Sequence, residues 1–140
     1  MIRHIEETDY YKGYLPLINI FTRSPQEKSF EEFKEMIQKV YSQNAEIYVI
    51  EVDGKIVSSL HLLFEYKLHN NFKLVCHIED VVTAPQYRKN GYASILLEHA
   101  VQRAIQKNSY KIVLTCNQEN TQFYQKNGFL LKGVELCKYL

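Results

Sequence analysis

The sequence has no tryptophan, three prolines, five glycines and three cysteines in 140 residues. So little proline and glycine fits the lack of any low-complexity segment. The cysteines, Cys76, Cys116 and Cys137, are odd in number, far apart and form no C-x-x-C pair. That argues against a disulfide framework and a cysteine zinc site, and favours a reducing compartment. Each thiol reads as a small buried hydrophobe. An excess of one charge is also lacking: 17 basic and 16 acidic residues give a formal net charge of +1. No global basic field of the kind used on nucleic acid exists, so any positive site must be local. No apolar run approaches the ~20 residues of a membrane span. The opening "MIRHIEETDYYKG" carries charge where a signal peptide is apolar. The expectation is a soluble cytoplasmic protein with no nucleic-acid or membrane partner. Repeats and linkers are absent, and 46% of the residues are apolar, which predicts one domain, 1–140, around one core.

What is present reads in order as strands and helices. "IRHI" alternates as a short strand, and Thr8 to Phe21 is expected to be helical, interrupted at Pro16. After the loop "RSPQEK", Ser29 and Glu32 form a capping box for a helix whose apolar face carries Phe30, Phe33, Ile37, Val40 and Tyr41. "EIYVIEV" and "KIVSSLHLLFEY" flank Asp53-Gly54 as a hairpin. A turn at "HNN" leads into a third strand, "FKLVCHIEDVV". Ala93 to Lys107 is helical, with Leu96, Leu97, Ala100, Val101, Ala104 and Ile105 as its apolar stripe. "YKIVLTC" is a strand, "ENTQFYQKN" a short helix stopped by Gly128, and "FLLKGVELCKYL" a final strand or hairpin. The fold class is α/β, a mixed sheet with helices on both sides.

The chemistry concentrates in "HIEDVVTAPQYRKNGYAS", His77 to Ser94. A strand bearing Glu79 and Asp80 runs into a basic loop with one glycine and then into a helix. Free N–H groups at a helix start favour an anion, Gly91 permits close backbone approach, and Arg88 and Lys89 add charge. The loop is neither a Walker loop nor G-x-G-x-x-G, and by pattern alone a basic surface turn is an equal reading. Adjacent acids in a strand point to opposite faces, so Glu79 and Asp80 are not expected to form one carboxylate dyad.

R-x-x-G-x-A after a strand with an acidic-apolar run resembles the pyrophosphate loop of the GNAT acetyltransferases. "HIEDVV", "YR", "LLE", "YKIVLTC", "EN", "FYQKNGF" and "GVEL" follow in an order similar to that of the glucosamine-6-phosphate N-acetyltransferases within that superfamily. The likeness is dense from His77 to Cys137 and looser from Ile2 to Tyr66. It implies the GNAT fold, a mostly antiparallel twisted sheet flanked by about four helices. It also implies acetyl transfer from acetyl-CoA to the 2-amine of glucosamine 6-phosphate, and a homodimer whose C-terminal strand packs against or exchanges with its partner.

The same resemblance assigns residues. The backbone of Val81, Val82 and Thr83 meets the pantetheine arm. Arg88, Lys89, Asn90, Gly91, Tyr92, Ala93 and Ser94 cradle the pyrophosphate. A free N–H near Asp80 and Val81 polarises the thioester carbonyl, and Tyr124 assists the departing thiolate. Asn120 contacts CoA or caps its helix. Glu79, Asp80 and Val81 meet the sugar, along with Thr22, Lys67, Leu68, His69, Asn70, Tyr110 and Lys111. Against these stand plainer readings: Phe123 and Tyr124 as core aromatics, the lysines as solvated charges.

Two positions depart from the family pattern. Thr115 stands where a carboxylate is usual, and Tyr139 where an arginine reaches phosphate, with Lys138 beside it. An acetyltransferase for another amine, or a non-catalytic acetyl-CoA-binding domain, are the alternatives. His61, His69 and His77 lie eight apart, which matches no helical or hairpin metal site, and no metal is expected. Ser58 and Ser59 lack a nucleophile-elbow context, and Cys116 has no histidine nearby and reads as core.

Overall fold

The computed structural model describes residues 1–140. Five strands follow one another across a single sheet in chain order: β1 (Ile2–His4), β2 (Ala45–Val52), β3 (Lys55–Tyr66), β4 (Leu74–Thr83) and β5 (Ser109–Leu114). Strands β1 to β4 are antiparallel neighbours, and only β4 and β5 run parallel. The parallel step is made by the long helix between them, as a parallel connection requires. Four α-helices accompany the sheet: α1 (Tyr14–Ile18), α2 (Phe30–Ser42), α3 (Tyr92–Gln106) and α4 (Thr121–Lys126). The mixed sheet read from the sequence, mostly antiparallel as the resemblance implies, is therefore formed.

The core lies on both faces. On one, Leu60, Leu62, Phe64, Cys76 and Ile78 pack against Leu96, Leu97, Ala100 and Ala104 of α3. On the other, Ile47, Val49, Ile56 and Val82 pack against Tyr14 and Leu17 of α1 and Phe33 of α2. Burial of each such large side chain contributes roughly 1.5–3 kcal/mol. The β2–β3 turn has Asp53 at φ 48° and Gly54 at φ 75°, the left-handed pair that matches strand twist. Helix α2 has its capping box: Glu32 N–H donates to Ser29 Oγ at 3.2 Å and Ser29 N–H to Glu32 Oε2 at 2.8 Å. Helix α3 is tied to the sheet by a bidentate pair, Arg103 Nε and Nη2 donating to Glu46 at 2.8 and 2.7 Å, while Tyr48 donates to Glu46 at 2.9 Å. Asp9, fully buried, takes two bonds from Arg3 at 2.7 and 2.8 Å and one from the Glu6 N–H. No helix is long and apolar enough to cross a membrane.

Several expectations are corrected. The helix from Thr8 to Phe21 breaks at Gly13, φ 85°, and not at Pro16. Pro16 falls in the first turn of α1, where an N–H has no intrahelical acceptor, so the ring is tolerated. Ile105 is 65% exposed; it lies one residue past the last buried stripe position, Ala104. Cys116 is half-buried and Cys137 exposed, so only Cys76 is a core thiol. The final strand is not formed. Leu130, Leu131, Val134 and Leu136 are 75–93% exposed, and residues 130–140 belong to no helix or strand. Their strand-like pattern records a side-chain preference, but a strand exists only against a partner edge, and this segment meets none in its own chain.

Candidate active site

The site begins where two strands part. Strand β5 accompanies β4 from Leu74↔Ser109 to Ile78↔Leu114 and then ends, while β4 continues to Thr83. From Glu79 to Thr83 that edge of β4 has no strand beside it. On the other edge the register with β3 shifts: Ser59 faces Val82 but His61 faces Glu79, so Asp80 and Val81 together oppose Leu60. This is a β-bulge, and Asp80 sits in it at φ 51°. Aspartate tolerates the left-handed region better than most residues. The bulge also corrects the expected alternation, because Asp80 Oδ2 comes within 3.9 Å of His61, the residue that Glu79 faces across the ladder. Bulges redirect backbone and side chains at such places. An extended ligand can add to the open edge as a further strand.

The loop after β4 forms the second wall. Ala84 N–H donates to Val57 O at 2.9 Å, and a tight turn covers Pro85–Tyr87. Arg88 Nε donates to Thr83 O at 3.2 Å, and Asn90 Nδ2 to Tyr87 O and Arg88 O at 2.9 and 3.3 Å. These two side chains thus brace the loop as well as lining it. Lys89 is exposed, at φ 65°. Gly91, at φ 79°, is the N-cap of α3 and supplies no side-chain cap, and the first intrahelical bond is Ile95 N–H to Gly91 O at 3.0 Å. The N–H groups of Tyr92, Ala93 and Ser94 precede that bond and have no intrahelical acceptor. With the positive end of a 15-residue helix, they make an anion site.

Helix α4 follows β5 through a single turn at Gln118–Asn120. Tyr124 stands edge-on to Phe123, ring centroids 5.0 Å apart, and to Phe129 at 6.1 Å. All three pack on the α3-side core while remaining half-exposed. Burial, with Cys116 adding to it, pushes the Tyr124 phenol up, so it stays protonated and able to donate near neutral pH. Asn120 is the N-cap residue of α4, but its side chain makes no capping bond. Thr115 lies exposed just past the end of β5.

A group that sequence reasoning set aside lies at the bulge. His61 Nδ1 is 3.9 Å from Asp80 Oδ2, and His61 Nε2 is buried without a hydrogen-bond partner. Tyr14 of α1 is close by; burial pushes its phenol up to about 12, and Asp80 contributes. The eight-residue histidine spacing gave no hint of this contact. Only the register shift between β3 and β4 creates it.

The other sequence-predicted residues lie elsewhere. Lys67 is bound to Glu65 at 2.8 Å, and His77 Nε2 shares that carboxylate at 3.0 Å. Asn70 Nδ2 lies 2.6 Å from His69 Nδ1, the His69 ring is edge-on to Tyr110, and Lys111 Nζ lies 5.7 Å from the Tyr110 centroid. Leu68 is 91% exposed. These groups gather at the beginning of β5, where Lys111 faces Val75. Glu79 is four residues further along β4, roughly 13 Å away at strand rise. Within one chain, then, Lys67, Leu68, His69, Asn70, Tyr110 and Lys111 form one group, and Glu79, Asp80, Val81 and Thr115 another. Thr22 closes the turn Asn19–Phe21, its Oγ1 3.3 Å from Asn19 Oδ1, and Lys138 lies in the exposed tail.

The chain thus joins a sheet that parts beside a bulge to a helix whose first N–H groups are uncapped. Residues 3–129 match the model of the Acetyltransferase (GNAT) family, and the chain belongs to that family. It is 31% identical over 142 residues to the glucosamine 6-phosphate N-acetyltransferase of Arabidopsis thaliana, covering 99% of this chain and 95% of that one. It is 33% identical over 144 residues to the enzyme of that name from Candida albicans, covering 98% and 94%. The crystal structure of the Arabidopsis enzyme superimposes with a TM-score of 0.94 at 30% identity, over 99% of this chain and 97% of that one.

Proposed function

We propose that the chain transfers the acetyl group of acetyl-CoA to the 2-amine of D-glucosamine 6-phosphate, giving N-acetyl-D-glucosamine 6-phosphate and CoA. The observation that carries this is the near-full-length likeness to enzymes of that name. In this reading the backbone of Val81, Val82 and Thr83 pairs with the pantetheine arm. The N–H groups of Tyr92, Ala93 and Ser94 hold the pyrophosphate, with Gly91 giving them room and Arg88, Lys89 and Asn90 shaping the loop. A backbone N–H at Asp80 or Val81 polarises the thioester carbonyl. Tyr124 donates to the sulfur as the C–S bond breaks. Glu79 and Asp80 face the acceptor amine.

The acceptor's remaining ligands come from the group at the beginning of β5, and a homodimer is the arrangement that joins the two groups. The exposed apolar residues of 130–140 are the segment that would pack against or exchange with the partner. Three free cysteines agree with a reducing, cytoplasmic setting.

A second reading, acetylation of a different small amine or amino sugar, is favoured by Thr115, which lacks the charge to balance an ammonium. Release of CoA thiol, measured with glucosamine 6-phosphate, glucosamine and a panel of other amines, tests both. The proposal expects a clear advantage in kcat/KM for the phosphorylated sugar. Equal values with and without phosphate would replace it with the second reading.

A further inference from the structure

Resting on the acetyl-transfer reading above, we propose that His61 and Asp80 together receive the ammonium of the acceptor, and that His61 Nδ1 takes its proton before attack. The bulge makes the pair. With an unbroken register, Asp80 would simply continue the ladder next to Glu79; instead it turns at φ 51° and brings Oδ2 to 3.9 Å from Nδ1. That separation is too long for a hydrogen bond between them. It suits a shared guest: a nitrogen about 2.8 Å from both, the length of a charge-assisted bond, subtends roughly 90° between them. An ammonium donates to two acceptors at close to that angle.

The ring is already oriented for the task. Nε2 is buried with no partner, which leaves Nδ1 as the nitrogen on the acidic side. With the hydrogen on Nε2, the Nδ1 lone pair faces the guest. Asp80 of the bulge and Glu79, directly across the ladder from His61, supply negative charge, and Tyr14 of α1 stays neutral near them. On the β2 side His61 faces Ile47, which does not titrate. No Lys or Arg is in ion-pair range of Asp80; His61 is its one basic neighbour. Thr115, at the position where the resemblance expects a carboxylate, cannot accept a proton.

One ammonium proton passes to Nδ1, and Asp80 stabilises the imidazolium. The freed lone pair forms the C–N bond, and the C–S bond breaks with its electron pair on sulfur. A second amine proton ends on sulfur, and His61 returns its own to water. Histidine is the side chain suited to this exchange near neutral pH.

The test is kcat/KM for glucosamine 6-phosphate against pH in wild type and His61→Asn, with His61→Gln as a second variant should the first fold poorly. CoA affinity and melting temperature serve as folding controls. The expected result is a loss of roughly 10²-fold or more near neutral pH that shrinks as pH rises and solvent deprotonates the amine unaided. Added imidazole should partly restore His61→Ala. A folded variant with no deficit, or with one that is the same at every pH, overturns the role of His61. A wild-type chain inactive on every amino sugar overturns the reading of function beneath it, and this proposal with it.

Discussion

Replacing Gly91 by valine isolates the pyrophosphate loop. Gly91 sits at φ 79°, and a Cβ built on it meets nothing within 4 Å. The substitution therefore creates no clash in the fold, only the strain of a β-branched residue in the left-handed region, roughly 1–2 kcal/mol. Against a total stability of about 5–15 kcal/mol, the domain survives. The loop relieves the strain by rotating, and rotation carries the N–H groups of Tyr92, Ala93 and Ser94 off their line. A hydrogen bond to a charged group contributes roughly 1.5–3 kcal/mol, so losing two weakens binding by about 10²- to 10⁴-fold. Calorimetry with CoA and with pantetheine, which has no pyrophosphate, separates the loop from the strand edge. CoA should lose that factor, pantetheine should bind as to wild type, and Gly91→Ala should fall between. A folded Gly91→Val protein with wild-type CoA affinity would refute the assignment of this loop.

Tyr124→Phe removes a hydroxyl that bonds nothing within the chain, so stability should hardly change while kcat falls roughly 10²-fold at constant CoA affinity. Retention of kcat when chemistry limits turnover would take Tyr124 out of the mechanism. Thr115→Asp places a carboxylate at an exposed position, so little desolvation opposes it, and KM for glucosamine 6-phosphate should drop; an unchanged KM counts against contact between Thr115 and the amine. Burial works to raise the Glu46 carboxyl, but bonds from Arg103 and Tyr48 outweigh it and hold it below the usual range. Its contribution is thus present above the unfolded carboxylate range and lost as pH falls through the folded one. Arg103→Met should cost roughly 1.5–3 kcal/mol in urea unfolding near neutral pH, since Lys107 Nζ, 3.7 Å from Glu46, still offsets the charge, and should flatten the acid dependence. Ending the chain after Phe129, which keeps the Tyr124–Phe129 contact, should yield a monomer by light scattering that still binds CoA but acetylates no amino sugar; an intact dimer would clear the tail of that role.

Where signals are local, the sequence alone determined the outcome. Asp53-Gly54 sets a turn, Ser29 and Glu32 close a box, and apolar periodicity marks α2 and α3, because each depends on neighbours a few residues away. The loop from Arg88 to Ser94 was legible for the same reason: a glycine before an apolar helix puts free N–H groups in a known place. Tertiary structure decided what depends on partners distant in the chain. β5 stops at Leu114 while β4 runs on, and no run of residues announces that opening. The bulge at Asp80 arises from β3–β4 registry, so strict alternation misassigned the acids and hid the contact with His61. The tail from 130 to 140 shows the converse. Its pattern specifies a strand, yet backbone pairing needs a second edge, and the chain by itself supplies none.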